Sequence, residues 1–531
     1  MRILVTDPIS EQGLAKLYAA DEFEIVTKVG ISKEQLLAEI GEYEALLVRS
    51  QTKVTADVIA AGKRLQVIGR AGVGVDNIDV RAATKAGILV INAPDGNTVT
   101  TAEFTFAMML ALARRVPQAY ASLQAGRWDR NQYVGVELRG KTLCVVGLGR
   151  IGAEVAKRAQ AFGMKVIAYD PFLTVARADK LGVQMAALHD GIREADFITV
   201  HTPLMKETHH LIAAREFSLM KRGVRILNCA RGGIIDELAL QKALEEGIVS
   251  GAALDVFEEE PAVANPLLAH PLVIATPHLG ASTVEAQVNV AVDVADGMVR
   301  LLRGGSYPHT VNLPALSAET RQKVEPYTRL GEVLGSFAAQ MKSGGVEKVV
   351  VRYEGEPASQ PLEPITGAIL KGLLTHYYRE EVHLISASLI AEELGVEVVE
   401  SKAPRHETFT NYIEVEVLGE GTTAKVGGAV IPGHGIRIMM LDGYPVDIYP
   451  TEAMVMTWHR DRPGVIGRVG SILGEAGVNI AGMQVGRQEA GGGAIMILAV
   501  DREVNSAQLG QIREAVGMDR VLYVELPVIS S

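Results

Sequence analysis

Cysteine is scarce. Cys144 and Cys229 are the only two in 531 residues, which leaves no material for a disulfide framework. Both fall in apolar strand-like runs, as expected in a reducing cytoplasm. Long apolar runs are lacking too; none approaches the roughly 18 residues of a membrane span. The opening Met1-Arg2-Ile3-Leu4-Val5-Thr6-Asp7 is a short strand meeting a charge, not the apolar core of a secretory leader. Positive charge is in deficit: 52 Lys and Arg against 63 Asp and Glu leave a net −11. That balance argues against nucleic acid and anionic membrane as partners. An anionic small molecule would need a local basic pocket. Low-complexity tracts and short tandem repeats are absent, and no metal is expected.

What is present is an ordinary globular composition, 48% apolar and 22% charged. At roughly 100–200 residues per domain, the length suggests three or four domains. Up to about residue 280, short β-branched runs alternate with helical patterns, which predicts parallel sheets with helices on both faces. One set of strands falls at 3–7, 23–27, 45–49, 66–69 and 89–92. A second falls at 142–146, 165–169, 197–200, 225–229, 252–255 and 272–275. A long helical stretch, Thr101–Gln124, lies between them, and another, Thr283–Arg303, follows the second set. The later helix is expected to cross back to the first lobe, making that lobe discontinuous: 1–97 with 283–313, around a second lobe at 98–282. From Pro314 the pattern is less regular up to 451. Residues 452–531 then run β-α-β-β-α-β, the ferredoxin-like order. A lone unit of that kind exposes sheet edges, so pairing with a second copy is expected.

The run Leu143-Cys144-Val145-Val146 leads into Gly147-Leu148-Gly149-Arg150-Ile151-Gly152 and then a helical pattern. This strand–glycine–helix context is that of a Rossmann dinucleotide site. Gly147 permits the tight turn, Gly149 lets the backbone approach a pyrophosphate, and Gly152 lets helix and strand pack closely. Asp170, at the end of the next strand, is placed to accept bonds from ribose hydroxyls and to repel a 2′-phosphate. NAD is therefore expected over NADP.

Ligands in doubly wound sheets bind outside the carboxyl ends of the strands. The second set ends on Asp170, His201-Thr202-Pro203, Arg231-Gly232-Gly233, Asp255 and His278, and Thr202 and Pro203 join the expected cofactor contacts. Oxidation of a 2-hydroxy acid needs a base of near-neutral pKa, which a histidine supplies. It also needs a cation to hold the carboxylate, a task suited to arginine's planar fork.

Three stretches, Ala230-Arg231-Gly232-Gly233-Ile234-Ile235-Asp236, Asp255-Val256-Phe257-Glu258-Glu259-Glu260-Pro261 and Thr276-Pro277-His278-Leu279-Gly280, resemble the signatures of the D-isomer-specific 2-hydroxyacid dehydrogenases. The resemblance implies that Arg231 binds substrate, His278 is the acid/base, Glu260 before the proline is its acidic partner, and Asp255 holds the nicotinamide carboxamide. Glu258 and Glu259 are left as a solvated acidic loop. Val48-Arg49-Ser50 and Gly69-Arg70-Ala71-Gly72-Val73-Gly74-Val75-Asp76-Asn77 look like the branch of the family that acts on 3-phosphoglycerate. It implies Arg49 and Arg70 near the substrate phosphate and Asn97 near its polar groups. Backbone N–H groups around Gly72, Val73 and Gly74 would serve the carboxylate. Arg130, in Trp128-Asp129-Arg130, would reach a neighbouring subunit's cleft.

In the tail, His459-Arg460-Asp461-Arg462-Pro463-Gly464-Val465-Ile466-Gly467 with Gly477-Val478-Asn479-Ile480 looks like an ACT regulatory domain, and 314–451 resembles the family's intervening domain. The ACT resemblance implies L-serine as effector, contacted by His459, Asp461 and Asn479, and a homodimer or homotetramer. The alternatives are another family member, a glyoxylate or hydroxypyruvate reductase, and an NAD-binding scaffold like the co-repressors that share the fold. The long tail argues against the first, and nothing in the sequence suggests peptide-docking surfaces for the second.

Overall fold

The structure is a computed structural model and describes residues 1–314, 316–378 and 381–527. Residues 315, 379, 380 and 528–531, which the segments 314–451 and 452–531 include, lie outside the described residues. The first sheet is fully parallel, in the order Glu24–Thr27, Arg2–Val5, Ala45–Val48, Val67–Arg70, Leu89–Asn92. Ala45–Val48 is buried at every position, as a central strand covered on both faces requires. Helix Val284–Leu302, capped by the Thr283 hydroxyl, packs its Val290, Val294, Ala295 and Met298 into this lobe's core. Thr310 then bridges to Ile91. The late helix thus returns to the first lobe.

The second sheet is also parallel, in the order Val273–Ala275, Val249–Leu254, Val224–Asn228, Phe197–Val200, Thr142–Val146, Lys165–Tyr169, Gln184–Met185. The two-residue strand Gln184–Met185 was too short to show any periodicity. Cys144 and Cys229 are buried in this lobe, and burial pushes both thiols up to about 12. The stretch expected as one helix over Thr101–Gln124 is two, Thr98–Arg114 and Val116–Gln124. Arg115 between them is left-handed at φ 53°, and Pro117 fits only the first turn of a new helix.

The tail carries a six-stranded sheet ordered Glu397–Ala403, Lys348–Gly355, Asn411–Gly419, Thr422–Ile431, Gly435–Leu441, Tyr444–Ile448, and a four-stranded sheet ordered Ile480–Arg487, Gly493–Val500, Ala453–Arg460, Arg520–Glu525. The latter is the ferredoxin-like arrangement expected. One face of it packs a core of its own, with Val455, Met496 and Leu498 against Val469, Leu473 and Ile512 of its helices, but the other face does not stand alone. Met454, Met456, Ile495, Ile497, Val524 and Leu526 pack into the same cluster as Leu330, Phe337, Val351, Ile369 and Ile438. Each is at most 7% exposed, and full burial of such a side chain contributes roughly 1.5–3 kcal/mol. Both outer strands of the small sheet also meet their own chain. Gln340 bonds the backbone of Glu525 in both directions, and Gly486 packs against Pro445. The tail reaches the first lobe through Glu393, which pairs with Arg81 and Lys85.

Among the described residues no helix is long and apolar enough to cross a membrane.

Candidate active site

Strand ends of both lobes meet at a cleft of about 870 Å³. Its wall includes Arg49, Ser50, Arg70, Gly72 and Asn97 from the first lobe and Phe257, Glu260, Thr276 and His278 from the second.

On the second lobe the glycine turn does what its spacing predicts. Gly147 is at φ 94°, and a Cβ there would lie 2.7 Å from the His201 carbonyl oxygen. At Gly152 a Cβ would fall 2.1 Å from the Gly147 oxygen, so helix Arg150–Ala161 can close on the strand only with glycine. Gly149 faces open space within 4 Å, room for a phosphate at the helix N-terminus. Asp170 accepts the Leu148 N–H at 3.0 Å, which fixes its carboxylate beside the turn. The Thr202 hydroxyl and His201 Nδ1 are buried without a partner among the described residues, and burial pushes His201 down to about 4. These orphaned groups and the open turn fit a dinucleotide. Arg150 is paired with Asp95 at 2.8 Å.

His278 follows strand Val273–Ala275 and is left-handed at φ 56°. Asp255, 1% exposed, holds the turn in that shape. Its Oδ1 accepts the Thr276 hydroxyl at 2.6 Å and the Leu279 N–H at 2.7 Å, and its Oδ2 accepts the Gly280 N–H at 2.8 Å. Burial pushes the Asp255 carboxyl up, against these bonds. A carboxylate has about four acceptor positions, so a carboxamide contact would join three bonds already made. His278 Nδ1 lies 2.9 Å from Glu260 Oε2, and Glu260 Oε1 accepts the Phe257 N–H at 3.2 Å. Burial alone would raise Glu260, but the His278 hydrogen bond and charge outweigh it and hold the carboxyl low. With Nδ1 engaged, Nε2 is the nitrogen left for a substrate proton.

Opposite stands a cationic cluster. The Nε of Arg70 is buried without a partner among the described residues. Burial first, then the charges of Arg231 and Arg49, push Arg70 down to about 10. Arg49 donates to the Pro8 carbonyl at 3.3 Å. Arg231 does not line this cleft. Its Nε donates to Asp76 at 3.1 Å and its Nη1 to the Ala230 carbonyl at 2.6 Å. It lies so close under Gly74 that a Cβ there would be 1.9 Å from its Nη2. Asn97 Oδ1 is buried without a partner among the described residues. The Gly72 N–H, expected to serve a carboxylate, is taken by the Arg70 carbonyl at 2.8 Å.

Other expected residues stand apart from the cleft. Arg130 is exposed in the short turn Arg130–Tyr133, beside Trp128 at 78% exposure. In the small sheet His459 is 4% exposed, with Nδ1 3.2 Å from the Thr457 hydroxyl, and burial lowers its pKa. Asp461 is paired with Arg487 at 2.9 Å, while Asn479 is exposed and its N–H donates to Asp501 at 3.1 Å. Two functional neighbours lie within the sequence motifs without marking themselves out there. Asp76, the partner of Arg231, lies 155 residues away in sequence, and Thr276, the partner of Asp255, lies inside the signature that contains His278.

Residues 106–280 match the NAD-binding domain of the D-isomer-specific 2-hydroxyacid dehydrogenases, 323–442 the D-3-phosphoglycerate dehydrogenase intervening domain, and 453–517 the ACT domain. The chain is 47% identical over 526 residues to D-3-phosphoglycerate dehydrogenase of Bacillus subtilis, covering 99% of this chain and 100% of that one. It is 45% identical over 527 residues to that of Methanocaldococcus jannaschii, with the same shares. The chain belongs to the D-3-phosphoglycerate dehydrogenase family. Its cofactor is NAD. Among solved structures, a D-lactate dehydrogenase from Aquifex aeolicus, complexed with NAD and lactic acid, is 30% identical with a TM-score of 0.51, over 57% of this chain and 96% of that one. The TT0316 protein of Thermus thermophilus is 36% identical with a TM-score of 0.55, over 59% and 100%.

Proposed function

We infer that the chain oxidises 3-phospho-D-glycerate to 3-phosphohydroxypyruvate with NAD, the first step of L-serine biosynthesis. The observation that carries this reading is the pairing, across one cleft, of the His278–Glu260 couple with Arg49 and Arg70, whose charge Arg231 augments from beside the cleft. In this reading residues 1–97 and 283–313 form the substrate lobe and 98–282 the nucleotide lobe. Residues 314–451 are the intervening unit and 452–531 the regulatory one. The full-length kinship, intervening domain included, favours phosphoglycerate over the glyoxylate-reductase and co-repressor-like alternatives.

Gly147, Gly149, Arg150, Ile151 and Gly152 would hold the NAD pyrophosphate, Asp170 the ribose, and Thr202, Pro203 and Asp255 the nicotinamide side. When bound, the nicotinamide accepts the hydride that leaves the C2 carbon of the substrate. His278 Nε2 takes the hydroxyl proton, and Glu260 at Nδ1 orients the ring and stabilises the imidazolium that forms. Arg231 and the Val73 and Gly74 N–H groups hold the carboxylate. Arg49 and Arg70 neutralise the phosphate, and Asn97 binds a polar group between the two.

An NADH-formation assay across a panel of 2-hydroxy acids, run in both directions, tests the substrate. Ready reduction of glyoxylate with none of phosphohydroxypyruvate would refute the reading. Asp170→Ala is expected to weaken NAD and narrow its advantage over NADP; an unchanged ratio of the two kcat/KM values removes Asp170 from cofactor choice.

The regulatory unit is read as the L-serine site, with the helix start at Gly464–Val465 for the carboxylate, Asp461 for the ammonium and Asn479 for the hydroxyl. Buried His459 would stiffen the strand that carries Asp461. The Arg487 pair means that an ammonium must compete for Asp461. Calorimetry is expected to detect serine binding to the intact chain and its loss in Asn479→Ala, a safer probe than truncation at 451 given the shared core. Equal binding by both proteins would sink the assignment.

The exposed Val116, Tyr120, Leu123 and Trp128 support a homodimer or homotetramer, in which Arg130 meets a neighbour's cleft. The cytoplasm is the expected compartment.

A further inference from the structure

Glu258 is one of three consecutive glutamates, and the sequence left it to solvent. It stays solvent-exposed in the structure, its side chain at 35%, yet its polar groups are engaged. Its backbone N–H donates to Glu237 Oε1 at 2.8 Å, and the Glu237 N–H donates back to Glu258 Oε1 at 3.3 Å. His210 Nε2 lies 3.0 Å from the same Glu258 oxygen, and His210 Nδ1 lies 3.7 Å from Asp236. Glu237 Oε2 in turn accepts the Asn265 side-chain N–H at 2.6 Å.

These contacts join separate loops. Asp236 caps helix Glu237–Glu245 and ends the turn that begins at Arg231. His210 comes from the loop after strand Phe197–Val200, and its N–H donates to the Gly233 carbonyl at 2.7 Å. The turn holding Arg231 also presses directly on the loop holding Glu260. A Cβ on Gly232 would lie 1.8 Å from the Phe257 oxygen, so the two backbones touch with no side chain between. Glu258 sits inside the short turn in which the Phe257 N–H aims Glu260 at His278.

We propose that Glu258 is a positioning residue: clamped by Glu237 and His210, it fixes the turn that delivers the Glu260 carboxylate to His278 and keeps that couple in register with Arg231. The charged and titratable groups around its carboxylate are His210, Asp236 and Glu237. The inference rests on the reading of His278 and Glu260 as the acid–base couple. In that reading a well-placed carboxylate at Nδ1 stabilises the imidazolium formed during oxidation. A loosened Glu260 does so less, and the acid limb of the kcat–pH profile, where neutral imidazole is required, moves to lower pH.

The test compares Glu258→Ala, Glu258→Gln and His278→Ala in the full chain, reading kcat, KM for NAD, the pH profile and the melting temperature. Glu258→Ala is expected to lower kcat about tenfold, less than the 10²–10⁴-fold contribution of a general acid or base itself. KM for NAD should hold while the acid limb shifts down. Glu258→Gln keeps an acceptor oxygen for the Glu237 N–H and should recover most of the rate. Parental kcat and pH profile in Glu258→Ala would overturn the proposal. So would activity lost only in proportion to melting temperature, with an unmoved limb. If His278→Ala is inactive while Glu258→Ala is silent, the positioning role alone falls; if His278→Ala keeps its rate, the acid–base reading and this proposal fall together.

Discussion

Replacing His278 with alanine is expected to lower kcat by at least ~100-fold, the lower end for loss of a general acid or base, with NAD affinity kept. The separation follows from placement. His278 stands on the turn held by Asp255, facing Glu260, while the dinucleotide turn and Asp170 lie on other strand ends. Steady-state kinetics together with a fluorescence titration of NADH measure both quantities on one protein. A near-normal rate would remove His278 from the mechanism; a matching loss of NADH affinity would mean that it shapes the cofactor site instead.

Arg70→Met is expected to damage catalysis and to stabilise the fold. Hydrogen bonds to charged groups contribute about 1.5–3 kcal/mol each, so two lost to the substrate phosphate amount to roughly 10²–10⁴-fold in kcat/KM. Without substrate, however, Arg70 has a buried Nε with no partner among the described residues, and the repulsion of Arg231 and Arg49 is only partly offset by Asp76 and Asp7. A methionine of similar length removes that desolvation and repulsion, so the melting temperature of the free enzyme should rise. Activity traded against stability in this way is common at binding sites. The measurements are kcat/KM for 3-phosphoglycerate and thermal denaturation without ligand. A kcat/KM within about tenfold of the parent, too little for even one charged hydrogen bond at the upper end, would take Arg70 out of the phosphate site.

The residues at strand ends were readable because parallel sheets leave few choices. Once strands at 142–146, 165–169 and 272–275 were placed, Gly147, Asp170 and His278 had to gather on one edge. The break at Arg115 was hidden because Ala, Met and Leu continue the helical pattern on both sides, and only Pro117 hinted at it. Asp76 and Glu258 were illegible for a different reason. Their importance lies in partners, Arg231 and Glu237, whose distance depends on how separate loops close, and periodicity carries no information about that closure. Asp255 was noticed for the cofactor, yet its three hydrogen bonds serve the turn beneath His278. The tail's two sheets were each legible, but their common core was not, since apolar alternation in a strand does not say which neighbour it faces.

That common core decides where this molecule can bend. Six buried side chains, at roughly 1.5–3 kcal/mol apiece, weld the segment beyond 452 to the one before it. Exposed ion pairs like those of Glu393 with Arg81 and Lys85 contribute only about 0–1 kcal/mol each. The two sheets of the tail are therefore held to each other more firmly than the tail is held at the Glu393 contact. That contact sits on helix Val80–Lys85, which connects the strands that end at Arg70 and Asn92.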